Sequence, residues 1–257
     1  MPFAFTRQVS PRIVDCALTH LNRQSIDADV AAEQHHAYEQ ALRDAGYEVV
    51  RLPYLADDPD AVFVEDTAIL LDQHAVITRP GVASRFDEIH STAKGLEPYF
   101  TVRRLKTGTL DGGDVLKIGD KLYVGQSNRT DREGTSALEA EVSPFGYEVV
   151  PVELGRCLHL KTAVTFAGPD RNGRPTLLAN PDWVDIGEFA EMAVVEVADG
   201  EPFAANVVRL RDRLIMAAGS PGTAAELRER GFTVVEVEVS ELQKAEAGGT
   251  CMSLISG

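Results

Sequence analysis

Short apolar runs and amphipathic stretches follow one another along this chain in an order that repeats. Gly46-Tyr47-Glu48-Val49-Val50 recurs as Gly146-Tyr147-Glu148-Val149-Val150 and as Gly231-Phe232-Thr233-Val234-Val235, with a weaker relative at Tyr99-Phe100-Thr101-Val102. A glycine followed by an aromatic and two valines reads as a helix C-cap turning straight into a buried strand. The residues before these glycines carry helical spacing. Over 29–45, Val30, Ala37, Tyr38, Ala41, Leu42 and Ala45 share one face, while Glu33, Gln34, Glu39, Gln40, Arg43 and Asp44 fall largely on the other. Shorter helices are predicted over 135–142 and 224–230, and Ser220 and Pro221 stand where an N-cap and a first-turn proline belong.

Between these elements lie paired apolar runs around tight polar centres. Residues 68–71 and 75–78 flank Asp72-Gln73-His74, and 115–118 and 122–124 flank Gly119-Asp120-Lys121. Residues 164–167 and 176–178 flank a longer turn at Asp170-Arg171-Asn172-Gly173, and 207–210 and 214–216 flank Arg211-Asp212-Arg213. These are hairpin signatures. The unit is a strand pair, a helix and another strand, used five times at about 51 residues each. Such units cannot bury their faces alone; arranged around an axis they close into a ring without exposed sheet edges. The expected fold is α/β: one domain over residues 1–257, a five-bladed propeller-like ring of ββαβ-type pseudo-repeats. Residues 3–6 and 252–255 would complete one unit from both ends of the chain. An open α+β sheet is the alternative.

Composition narrows the partners. The chain has 44% hydrophobic and 25% charged residues, as expected of a globular protein. Its formal net charge is −15, from 25 Lys+Arg against 40 Asp+Glu, which argues against nucleic acid and against an anionic membrane surface. A cationic small molecule suits that charge, although a solvated acidic surface accounts for most of it. The three cysteines, Cys16, Cys157 and Cys251, are far apart and odd in number, which reads as reduced thiols rather than a disulfide framework or zinc site. The first residues lack the apolar run of a signal peptide, and no window approaches the ~18–20 apolar residues of a spanning helix. The expected compartment is the cytoplasm.

Equal position within the repeat brings out candidate chemistry. Asp66, Asp111, His159, Asn206 and Cys251 each stand just before the first strand of a unit, separated by 45, 48, 47 and 45 residues. In a closed ring they would converge near one axis. A cysteine beside a histidine is a nucleophile with an acid/base partner. Two carboxylates facing one space repel unless a cation lies between them, and a planar guanidinium matches both. Gly248-Gly249-Thr250 would let the backbone before Cys251 approach a ligand closely. The Glu65-Asp66 pair, embedded in an apolar run, needs partners of its own. Cys16 and Cys157 are expected to be small buried residues, and His35 and His36 to lie inert on a polar helix surface. Cys157-x-His159 lacks the second pair a zinc site requires.

Five motifs then add a resemblance. Phe63-Val64-Glu65-Asp66, Ile77-Thr78-Arg79-Pro80-Gly81 with Ser84-Arg85, Leu110-Asp111-Gly112-Gly113-Asp114-Val115, His159-Leu160-Lys161-Thr162 and Cys251-Met252-Ser253-Leu254 occur in this order. Together they resemble the dimethylarginine dimethylaminohydrolase family of the guanidine-modifying (pentein) superfamily, over essentially the whole chain. The resemblance implies the pentein propeller and hydrolysis of Nω-methylated arginines to citrulline and a methylamine, without a metal or organic cofactor. By position, Cys251 matches the nucleophile and His159 the general acid/base. Asp111, in the same catalytic set, and Asp66 match the carboxylates that grip the guanidinium. Substrate-tail contacts map onto Leu18 and Ala245 through their backbones, and onto Asp60, Glu65, Arg85 and Arg129; Arg132, in the same loop as Arg129, could reach the same carboxylate. Some members carry Glu where this chain has Asp111. Residues 17–24 would form a mobile lid. The implied partner is a small-molecule methylarginine, with a homodimer left open. An arginine or guanidine deiminase releasing ammonia, usually a longer chain, and a non-catalytic methylarginine-binding protein are the competing readings.

Overall fold

The computed structural model describes residues 1–189 and 192–257. β1 (Phe3–Thr6) leads through an irregular segment to α1 (Ala28–Asp44), whose first N–H groups are capped by the Asp27 carboxylate. The chain reverses at Gly46, where φ is +82°, a conformation glycine adopts without strain, and enters β2 (Glu48–Arg51), parallel to β1. The hairpin β3 (Ala68–Leu71) and β4 (His74–Ile77), α2 (Glu88–Leu96) and β5 (Thr101–Arg104) follow. Next come β6 (Val115–Ile118), β7 (Lys121–Gln126), α3 (Arg132–Val142) and β8 (Glu148–Glu153). The one-turn α4 (Leu160–Ala163) precedes β9 (Val164–Pro169) and β10 (Pro175–Ala179), and β11 (Ala193–Glu196) completes that sheet. A 3-10 turn at Ile186–Phe189 stands in the connection where the other units carry a helix. The chain ends with β12 (Val207–Leu210), β13 (Arg213–Ala217), α5 (Pro221–Glu229), β14 (Thr233–Val237), the one-turn α6 (Ser240–Gln243) and β15 (Leu254–Ile255).

The described residues form five three-stranded sheets. In each, the central strand is antiparallel to one neighbour and parallel to the other, so five blades share one topology. The fold is a five-bladed α/β propeller. β15 pairs with β1 through Ala4–Ile255 and Phe5–Leu254, so both ends of the chain build the closing blade. Apolar clusters lie between neighbouring blades; one joins Phe5 and Leu254 of the closing blade to Val64, Ala75 and Ile77 of the next. The first strands of the other four blades and β15 line an axial chamber of about 480 Å³. Among the described residues no helix is long and apolar enough to cross a membrane.

Three local expectations change. In α1, Val30 and Ala37 face solvent, whereas His35 and Glu39 are buried with Ala31, Tyr38 and Leu42. The cause is an ion cluster: Arg51 grips the Glu39 carboxylate at 2.7–3.2 Å, and the Thr6 hydroxyl donates to it at 2.8 Å. His35 is therefore no surface residue; burial pulls its pKa down to about 4. At the start of α5 the Ser220 side chain makes no capping bond, and the Glu201 carboxylate takes the Gly222 and Thr223 N–H groups instead, at 2.9 and 2.8 Å. The helix expected over 135–142 starts three residues earlier, because Asp131 caps it through the Gly134 N–H at 2.7 Å.

Candidate active site

Each blade begins its inner strand from a short turn, and these turns meet at one end of the axis. Asp66 lies in the turn Val64–Thr67, Asp111 immediately precedes Gly112–Asp114, His159 immediately precedes α4, Asn206 precedes β12, and Cys251 lies in Thr250–Met252. All five side chains are buried. Two glycines permit the approach. A Cβ on Gly112 would fall 2.0 Å from the Glu65 carbonyl oxygen, and one on Gly113 would fall 2.6 Å from His159 Nδ1 and 2.8 Å from Asp66 Oδ1.

The carboxylates converge on the imidazole. His159 Nε2 is 3.1 Å from Asp111 Oδ2, and Nδ1 is 3.8 Å from Asp66 Oδ1. The Gly81 N–H donates to Asp111 at 2.8 Å and the Gly113 N–H to Asp66 at 3.1 Å. Behind them Asp114 accepts from the Ser127 and Thr130 hydroxyls, both at 2.6 Å, and from the Leu160 N–H at 2.9 Å, which anchors the backbone just after His159. Burial works against a charged His159, but Asp66, Asp114 and Asp111 outweigh it and push its pKa up to about 9. Burial raises Asp114 to about 6. Cys251 has the opposite surroundings: burial first, then Glu65 and Asp66, push its thiol up to about 12, against a 3.4 Å contact from the Gly248 N–H.

A cavity of about 20 Å³ touches both Cys251 and His159, together with Asp60, Asp66, Arg85, Arg129, Ala245 and Ala17. Arg85 is already engaged: it donates to Asp66 at 2.6 Å, to both Glu88 oxygens at 3.0 and 2.8 Å, and to the Phe63 carbonyl at 2.7 Å. Arg129 reaches the Thr19 hydroxyl at 2.8 Å and lies 3.8 Å from Asp111. Arg132 sits at the surface beside Glu153. Asp60 accepts the Ala17 N–H at 3.1 Å, and Leu18, next along that segment, is half-buried. Glu65 lies outside this cavity and on the wall of the axial chamber; Lys161 at 2.5 Å and the Thr250 hydroxyl at 2.6 Å occupy its two oxygens. Over the cavity, the Glu246 carboxylate accepts the Thr19, His20 and Leu21 N–H groups at 2.9, 2.5 and 2.6 Å.

The sequence profile described as N,N dimethylarginine dimethylhydrolase, eukaryotic, matches residues 15–169. An N(G),N(G)-dimethylarginine dimethylaminohydrolase of Streptomyces coelicolor is 40% identical, over 98% of this chain and 95% of its own. The chain belongs to the dimethylarginine dimethylaminohydrolase family. A second family member, from Pseudomonas aeruginosa, is 36% identical over 92% of this chain and 91% of its own. A solved structure of the Pseudomonas aeruginosa family member, a Cys-to-Ser mutant complexed with citrulline, superposes with a TM-score of 0.92 at 34% identity, covering 98% of both chains. The five-bladed propeller expected from the repeat, and the pentein fold implied by the resemblance, match the fold of that family member.

Within this dimethylarginine dimethylaminohydrolase fold, the structure adds three residues to which sequence reasoning gave no role. Asp114 was visible inside the Leu110–Val115 motif, and Asn206 stood at the shared phase of the repeat. Glu246 gave no signal, because its partners lie 225 to 227 residues away. Asp66, Asp111 and His159 also offer ligand atoms within 4.8 Å of one another, a spacing that could hold a metal ion. The same carboxylates carry the Arg85, Gly81 and Gly113 bonds, and Arg129 adds a second guanidinium nearby. That donor set is already arranged around planar cations.

Proposed function

We propose that this chain hydrolyses Nω-methylated L-arginine, asymmetric dimethylarginine and monomethylarginine, to L-citrulline and dimethylamine or methylamine. The observation that carries the reading is one cavity lined by the Cys251 thiol, the His159 imidazole and the Asp66 carboxylate, with the Asp111 carboxylate hydrogen-bonded to the imidazole. The names of the relatives and the citrulline held by the Pseudomonas aeruginosa structure support it.

In this reading the guanidinium lies between Asp66 and Asp111 with its central carbon toward Cys251. Arg85 and Arg129 face the α-carboxylate; Asp60 and the Leu18 and Ala245 carbonyls face the ammonium. A thiol held near 12 is inert until a cation arrives beside it. The bound guanidinium and the His159 imidazolium favour loss of the thiol proton to solvent, and the thiolate adds to the guanidinium carbon. His159 gives its proton to the departing amine nitrogen as the C–N bond breaks, leaving a thiouronium on Cys251. Neutral His159 then takes a proton from water, hydroxide adds to the same carbon, and the C–S bond breaks to release citrulline. A positioned acid/base of this kind contributes typically about 10²–10⁴-fold. Glu65 acts here from the rear, through Thr250 and Lys161, rather than by touching substrate. Three unpaired thiols suit a reducing, cytoplasmic setting.

The test is citrulline formation from asymmetric dimethylarginine, monomethylarginine and arginine in parallel. Turnover of arginine equal to or above that of the methylated substrates would overturn the assignment in favour of a deiminase. Cys251→Ser is expected to keep substrate binding and lose turnover; a variant that keeps both would mark a mechanism without this thiol.

A further inference from the structure

We infer that Asn206 is a positioning residue that sets the nucleophile Cys251 against the acid/base His159, an inference resting on the function proposed above. Asn206 stands at the same point of its blade as the four reacting residues, yet its side chain has no acid, base or nucleophile. It is buried, and the three hydrogen bonds its amide makes all go to the turns that carry the thiol and the imidazole. Oδ1 accepts the Thr250 N–H at 2.8 Å, and Nδ2 donates to the Lys161 carbonyl at 3.0 Å and to Thr250 Oγ1 at 3.1 Å. Thr250 immediately precedes Cys251, and Lys161 follows His159 by two residues. The loop before the nucleophile also packs on this amide: a Cβ on Gly248 would fall 2.3 Å from Asn206 Cγ, and the Gly248 N–H is the group that donates to Cys251 Sγ.

These bonds close a ring behind the reacting groups. The Thr250 hydroxyl gives its hydrogen to Glu65 at 2.6 Å, and Lys161 Nζ meets the other Glu65 oxygen at 2.5 Å. The turns bearing Asp66, His159 and Cys251 are thus joined through Glu65, Lys161, Thr250 and Asn206. The position needs an acceptor and two donors at once, which an amide supplies. Aspartate, of the same shape, would set an acceptor against the Lys161 carbonyl and against a hydroxyl whose hydrogen is already committed. Among the described residues the Asn206 side chain bonds only to Lys161 and Thr250, not to Asp60, Asp66, Asp111 or Arg129, so substrate binding should outlast its loss. Misplacement of a reacting group by about 1 Å is enough to cost about 10²-fold.

The experiment compares the protein with Asn206→Ala and Asn206→Asp, using two readouts. One is steady-state turnover of asymmetric dimethylarginine. The other is mass-spectrometric labelling of Cys251 by chloroacetamidine, giving both the end-point fraction labelled and its rate constant. In both variants kcat should fall about 10²-fold with KM within about threefold, and the labelling rate constant should fall while the end point stays near that of the parent. A kcat within twofold of the parent overturns the inference. So does a loss matched by a lower labelled fraction at the parent rate constant, which is the mark of a merely structural role. If Asn206→Ala fails to fold, the isosteric Asn206→Asp carries the test alone. Absence of methylarginine turnover in the parent would overturn the proposed function, and slower labelling of the variants would still support the positioning role.

Discussion

At Cys251 the surroundings oppose the reactive form, and at His159 they favour the proton-bearing one. With the thiol near 12, alkylation of Cys251 by neutral iodoacetamide, followed by peptide mass spectrometry, should climb about tenfold per pH unit through pH 10. A plateau near pH 8 would reveal a pre-formed thiolate instead. His159, held at about 9, should keep its proton through neutrality, and turnover should decline as pH rises past that value. His35 concerns stability rather than chemistry. Burial holds it neutral to about pH 4, and its Nε2 has no hydrogen-bond partner. Its folded pKa lies below the unfolded value near 6.5, so between the two the unfolded chain binds the extra proton and stability falls as pH drops. The loss amounts to at most about 3 kcal/mol. Replacing it, as His35→Leu, should flatten chemical-denaturation stability between pH 6.5 and 4; an unchanged slope would place the acid sensitivity in other groups, Glu39 excepted, because its depressed carboxylate loses its contribution only below about pH 4.5.

The segment over the cavity is an element held by side chains from elsewhere. Three successive N–H groups converge on Glu246, the Ala17 N–H donates to Asp60, and the Thr19 hydroxyl accepts from Arg129. The space of about 20 Å³ beside Cys251 and His159 is far smaller than a methylarginine, so on the function proposed above this segment is expected to move as substrate enters. Glu246 has φ +62°, which glycine adopts freely, so Glu246→Gly removes the clasp without disturbing the backbone. Hydrogen exchange at residues 19–21 should quicken at least tenfold, and KM should rise more than kcat falls. Unchanged exchange would mean that Asp60 and Arg129 suffice to hold the segment.

Across the whole molecule, closure depends on two short contributions from opposite ends of the chain. β1 is paired on both sides, by β15 and by β2, so the closing blade is built like the other four. We expect all 257 residues to unfold as one domain. The fluorescence of the single tryptophan, Trp183, in the blade of β9, β10 and β11, should change at the same denaturant midpoint as the reactivity of Cys16 and Cys251 beside the closing blade. Separate midpoints would divide the ring into independent units.

The repeat is legible in the amino-acid order alone, because apolar spacing and glycine turns are local and recur in register: Gly46, Gly146 and Gly231 all take the positive φ their motif requires. From that register came the shared phase of Asp66, Asp111, His159, Asn206 and Cys251, and hence the expectation that they converge near one axis. How charges pair follows from the packing of distant elements. Glu39 and His35 read as solvated polar residues until Arg51 and Thr6 closed over the carboxylate. Glu65 read as a substrate contact until Lys161 and Thr250 took both its oxygens, and Arg85 shares its fork between Asp66 and Glu88. A pattern of hydrophobicity records which face of an element is buried on average. It has no term for which donor, 33 or 185 residues away, will lie within 3 Å of a given oxygen, and that geometry sets both the stability of a buried charge and its pKa.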